Sequence, residues 1–167
     1  MCKARPSSGL CAKLVPTMRT VSVRSVVAAP IDAVFDWIAD GNNWAKVPGM
    51  IYSRARPVDG PEPFGVGSTR EFLSGGSKVT EVVTAFDRPF RMSYQALSTI
   101  PPMAHEGGSV TFREVPGGTE VEWSTTFALK SPVLSDFLTR LYARLIGLGA
   151  RMVIQAARRS LAADECA

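Results

Sequence analysis

The chain has 167 residues, 46% of them apolar and 20% charged, with a formal net charge of +4. That is enough apolar material for one domain with a sizeable core, and no apolar run reaches the roughly 18 residues of a membrane span. The excess positive charge lies in residues 1–19, where Lys3, Arg5, Lys13 and Arg19 meet no acid, while residues 20–167 carry 15 basic and 15 acidic groups, so nucleic-acid binding is not expected of the folded part.

In chain order, the basic tail 1–19 holds Pro6, Ser7, Ser8, Gly9 and Pro16 without helical or strand period and reads as disordered. Met18, immediately before the first strand, is a candidate alternative translation start. The tail lacks a signal-peptide apolar block, and Cys2, Cys11 and Cys166 all lie in terminal segments. They supply no disulfide framework, which points to a reducing, cytoplasmic setting. Val21 to Val27 alternates as a strand; Pro30 then suits a first helical position, with Ile31, Val34, Phe35 and Ile38 on one helical face. Trp44 belongs to a second short helical piece that Pro48-Gly49 ends, and residues 50–58 predict the next strand before a loop at Pro61 and Pro63.

Segments 68–73 and 77–86 flank Gly75-Gly76, which favours a two-residue type I′ turn because both glycines accept positive φ. That turn sets Phe72 opposite Val79, Arg70 opposite Glu81 and Ser68 opposite Val83. In 90–99, Met92, Tyr94 and Ala96 form the inward face. The last hairpin, around Pro116-Gly117-Gly118, turns Val110 and Phe112 inward on one strand and Val121, Trp123, Thr125 and Phe127 on the other. A final helix is expected from Ser131 (N-cap) and Pro132 (first position) to about 163. Its apolar face is Leu134, Phe137, Leu138, Leu141, Leu145, Leu148 and Met152, with Arg140, Arg144, Arg151 and Arg158 as a solvated stripe alongside. Gly147 and Gly149 interrupt this helix, which suits a bend, close packing or room for a bound molecule.

In order and spacing, the stretch from Ala29 to Asp40, Gly65-Val66-Gly67-Ser68, the run Asp87 to Tyr94, the run Gly117 to Trp123 and the long final helix resemble the START-like (SRPBCC) superfamily. The likeness, to its polyketide cyclase/dehydrase and lipid transport type, covers residues 20–163, taken as one domain. It implies an α+β helix-grip fold: a curved antiparallel sheet wrapped round a long C-terminal helix, with an internal apolar cavity. A hydrophobic small-molecule ligand, no cofactor or metal, no membrane contact and a monomer or homodimer are the matching expectations.

No nucleophile with its base, phosphate loop or nucleotide fingerprint is present, and His105, the only histidine, excludes a multi-His metal site. Strand parity turns His105 outward and Glu106 inward, in line with Gly108, Val110 and Phe112. Arg70 and Glu81 share a face with Phe72, Val79 and Val83, the face that the resemblance makes the cavity lining. The expected ligand-binding set is therefore Arg70, Phe72, Glu81, Tyr94, Glu106, Phe112 and Trp123. The plain alternative is an Arg–Glu pair at a wet rim, worth under about 1 kcal/mol, with Tyr94 and Trp123 as ordinary core aromatics. Two functions fit: a carrier for a lipid, polyketide or aromatic metabolite, or a cyclase/aromatase-like enzyme in which Arg70 stabilises an enolate, Glu81 or Glu106 is the base and Tyr94 the acid.

Overall fold

The computed structural model describes residues 17–131 and 134–164, so the basic tail expected up to residue 19 lies almost wholly outside the described residues. The chain runs β1 (Arg19–Val27), α1 (Ile31–Ala39), a short 3-10 helix (Gly41–Lys46), β2 (Met50–Arg56), β3 (Thr69–Ser74), β4 (Ser77–Asp87), β5 (Arg91–Ile100), β6 (Met103–Val115), β7 (Gly118–Leu129) and α2 (Ser135–Asp164). β2 to β7 form an antiparallel meander, and β1 closes onto β7, giving one sheet in the order β1-β7-β6-β5-β4-β3-β2. The helix-grip fold is the one the sequence implies.

The glycine hairpin adopts the expected register. Gly75 and Gly76 have φ of 57° and 78°, and Arg70 pairs with Glu81 and Phe72 with Val79. Register shifts along β4–β5 and at His105/Gly107 on β6 interrupt the ladders, which is how an antiparallel sheet gains curvature. α1 buries Val34, Phe35 and Ile38, and the Phe35 ring meets Phe86 and Phe112 edge-on at 4.9 and 5.0 Å.

α2 departs from expectation in two ways. It begins at Ser135 rather than at Ser131, and Pro132 lies outside the described residues. The side chains that tie its first turn to the end of β7 are Ser135 and Thr139: Ser135 donates to the Leu129 carbonyl at 2.7 Å, and Thr139 Oγ1 accepts from the Leu129 N–H at 3.1 Å. Leu134, just before, has φ of 57°, a conformation incompatible with a continuing helix.

The second departure is the direction of the leucine face. Leu134, Phe137, Leu141, Leu145 and Leu148 are exposed, whereas Thr139, Gly147, Val153, Ile154, Ala156 and Ala157 are buried. α2 packs mainly on β1, β7 and α1 through this small-residue side. A Cβ at Gly147 would lie 3.4 Å from Val21 Cγ1, so this glycine allows the helix to approach β1 closely. Close approach by small residues stabilises the crossing and leaves the larger residues of the N-terminal half turned away.

Candidate functional site

Between α2 and the sheet lies a cavity of about 330 Å³. Its wall is largely apolar, including Phe72 and Val79 from β3–β4, Ala96 and Met103 from β5–β6, and Ile146, Gly149 and Met152 from α2. Gly149 borders the space directly: a Cβ there would meet nothing within 4 Å. Polar groups converge on the sheet side in Glu81, Tyr94, His105, Trp123 and Thr125.

Tyr94 stands at the centre of that group. It pairs in register with Gly108, which in turn pairs with Thr125, so the tyrosine ring can lie flat across the glycine toward β7. A Cβ at Gly108 would fall 2.2 Å from the ring, and only glycine permits this arrangement. The Trp123 Nε1–H donates to the Tyr94 oxygen at 2.7 Å, and the Thr125 hydroxyl is nearby. Burial, then the negative charge of Glu81, push the phenol pKa up to about 12. The group is therefore a neutral donor at any physiological pH.

His105 stacks on Tyr94 with ring centroids 5.9 Å apart. Its Nδ1 accepts from the backbone N–H groups of Ala96 and Gly107, both at 3.2 Å, which places the ring proton on Nε2. Nε2–H then donates to Thr125 Oγ1 at 3.0 Å, leaving the threonine proton free to point at Tyr94. Burial lowers the His105 pKa, and the two amides at Nδ1 oppose protonation further.

Arg70 and Glu81 are both buried, with Nη2 and Oε1 2.6 Å apart. The contact is an ion pair poorly aligned as a hydrogen bond, and Arg70 Nε finds no acceptor among the described residues. The guanidinium instead lies 4.7 Å from the Trp44 ring centroid and 5.5 Å from that of Tyr94. Its aliphatic stem runs against Gly41, where a Cβ would be 2.9 Å from Cδ. Burial raises the Glu81 pKa, and the Arg70 charge opposes that rise.

Of the residues expected from sequence, Phe72, Glu81, Tyr94 and Trp123 border the cavity, while Arg70 stands behind Glu81 and Tyr94. Phe112 sits in the core beneath Phe35. Glu106 is a correction. The ladder passes from His105 opposite Phe127 to Gly107 opposite Thr126, so Glu106 is the extra residue of a bulge and is exposed. The bulge reverses parity below Gly107, turning His105 and Met103 into the cavity instead.

The sequence profile described as polyketide cyclase/dehydrase and lipid transport matches residues 18–162. The chain belongs to this family. In fold it is similar to the Zhui aromatase/cyclase from Streptomyces sp. R1128 (TM-score 0.70, 17% identity, covering 87% of this chain and 94% of that one). It is also similar to Ara h 8.0201 (0.62, 17%, 88% and 99%) and to the di-domain ARO/CYC BexL of the BE-7585A biosynthetic pathway (0.67, 19%, 86% and 50%). It thus spans half the length of BexL. No curated protein matches it in sequence.

Within this family frame, three site residues escaped the sequence reading. Trp44 packs on Phe72 and Trp123 at 5.3 and 5.6 Å and covers Arg70, but in the sequence it is one aromatic in a short helical piece. Strand parity turns Thr125 inward without giving it a role, and an unbroken parity puts His105 on the surface. Gly107-Gly108, two glycines inside a strand, was the available sign of a bulge and of a side chain lying across the backbone.

Proposed function

We propose that the cavity binds a hydrophobic small molecule of lipid, polyketide or other aromatic type, held at its inner end through an oxygen that accepts from Tyr94. The carrying observation is the direction of the Tyr94 hydrogen bonds. Its oxygen already receives the Trp123 N–H and neighbours the Thr125 hydroxyl, while its raised pKa keeps the proton in place. That proton is left for whatever enters the cavity. A carbonyl, phenol or carboxyl oxygen suits it, and a purely hydrocarbon ligand would leave the donor unused at a cost of about 1–3 kcal/mol. The apolar wall supplies the affinity, at around 25 cal/mol per Å² removed from water.

Native mass spectrometry of gently purified protein, followed by extraction, identifies the ligand. Tyr94→Phe keeps the ring and removes the donor, so affinity for that ligand should fall roughly 10-fold. Equal affinity in both forms would reject the Tyr94 contact, and failure to bind any apolar molecule would reject the reading itself.

One observation favours a catalytic version of the same site. The donor Tyr94 and the carboxylate Glu81 both border the inner end of the cavity, so an acid and a base face one bound molecule. In that version Tyr94 is the acid, Glu81 the base and Arg70 the group that balances charge. Glu81→Gln should then lose about 100-fold or more in rate with binding largely retained. A protein that binds without converting its ligand is the carrier.

A further inference from the structure

The exposed side of α2 is the largest feature that the cavity does not explain. At about 100° per residue, Phe137, Leu141, Leu145 and Leu148 fall in one stripe about 80° wide. They are between 44% and 61% exposed. On one flank the stripe runs into the cavity, because Leu145 and Leu148 belong to both the ridge and the cavity wall. On the other flank lie Arg140, Arg144 and Arg151, all exposed. Arg140 is paired with Asp136, whereas Arg144, Arg151 and Arg159 have no acid partner among the described residues. Met18, Arg19 and Thr20 border the same hollow as Arg140 and Arg144, so the basic segment carrying Lys3, Arg5 and Lys13 joins the described chain beside this row.

We propose that the N-terminal half of α2 docks on the surface of an anionic lipid bilayer, with its leucine ridge in the interfacial region and its arginines on lipid phosphates. An apolar ridge bordered by arginines is the pattern of a helix that lies in a membrane interface. Charge selects this occupant over a second copy of the chain. α2 carries five arginines against Asp136 and Asp164, so self-contact would set one positive face against another. Continuity selects it again: a ridge that merges with the cavity wall lets an apolar ligand pass between bilayer and cavity without crossing water. When the leucines are taken as core, the arginines are only a solvated stripe and membrane contact is not expected. With the leucines outside, the same arginines frame an apolar surface.

The docking stands on the α2 surface, with only the continuity argument resting on the ligand reading, so it is tested with protein and vesicles alone. The full chain should co-sediment with vesicles of phosphatidylcholine containing about a third phosphatidylglycerol, far more than with phosphatidylcholine alone, and high salt should weaken the binding. Phe137→Glu with Leu141→Glu, which leaves the cavity wall intact, should reduce partition roughly 100-fold or more. Arg144→Gln with Arg151→Gln should reduce it about 30-fold on the anionic vesicles. All four positions are exposed, and unchanged melting curves confirm folding. The proposal is overturned if the wild type ignores anionic vesicles or if both double variants bind like it. It is overturned equally if light scattering shows a dimer that Phe137→Glu with Leu141→Glu dissociates, or if partition appears only once residues 1–17 are removed, which would make the tail the occupant of the ridge.

Discussion

Arg70 and Glu81 show how a buried pair differs from its separate members. Two charges out of water are held by mutual attraction and by the Trp44 and Tyr94 rings, at a desolvation cost that the contact only partly offsets. Glu81→Leu should therefore lose about 3–5 kcal/mol in urea unfolding, because it strands the arginine. Arg70→Met with Glu81→Leu should recover most of that loss. A double variant as unstable as the single would show that the pair does more than balance its own charges. His105 provides a pH dependence with a definite sign. Its pKa is depressed in the folded protein, so below about 6.5 the unfolded chain takes up a proton that the folded chain resists. Stability should be unaffected by this group above that pH and fall as pH drops through the window beneath it. His105→Asn should flatten that part of the stability curve; an identical slope in the variant would place the titration elsewhere.

The two glycines of α2 have opposite surroundings and should respond oppositely. Gly149 borders the cavity with open space at its Cβ position, so Gly149→Ala should stabilise the helix by up to about 1 kcal/mol. Gly147 lies against Val21, and Gly147→Leu should destabilise by about 1–3 kcal/mol through overpacking at β1. Thermal melts of the two variants decide it, and a shift of the same sign in both would contradict the stated contacts. The same element logic explains β6. Gly107 has φ of 109° in the bulge, Gly108 accepts the Tyr94 ring, and the pair together re-aim the strand so that His105 faces the site.

Taken as one body, the molecule encloses a cavity with a polar inner end and an apolar remainder, and filling it should stabilise the folded state by mass action. At about 100 times its dissociation constant a ligand adds roughly 2.7 kcal/mol, which raises the melting temperature by about 5–10 °C for a domain of this size. An apolar probe with a phenolic or carboxyl oxygen, such as 1-naphthol or a medium-chain fatty acid, should produce this shift at saturation. A matched hydrocarbon should produce a smaller one. Equal shifts from both would remove the oxygen from the recognition.

The family and the helix-grip fold were legible through the resemblance carried by the order and spacing of the motifs, and the Arg70–Glu81 pairing through the glycine turn, because a two-residue turn sets register without reference to distant parts. Tyr94, Trp123, Phe72 and Glu81 were legible because each lies in a stretch of strand with no extruded residue between it and its same-face neighbours, so that parity fixes the face. Elsewhere, distant contacts decided the outcome. Glu106 and His105 exchanged sides because one residue was extruded from the β6–β7 ladder, a shift that parity cannot register. The leucine stripe has the period of a core-facing side, but amphipathic period shows only that a helix has an apolar side, not which side meets the sheet. That choice went to the small residues that let α2 approach β1, and it left the larger ones outside.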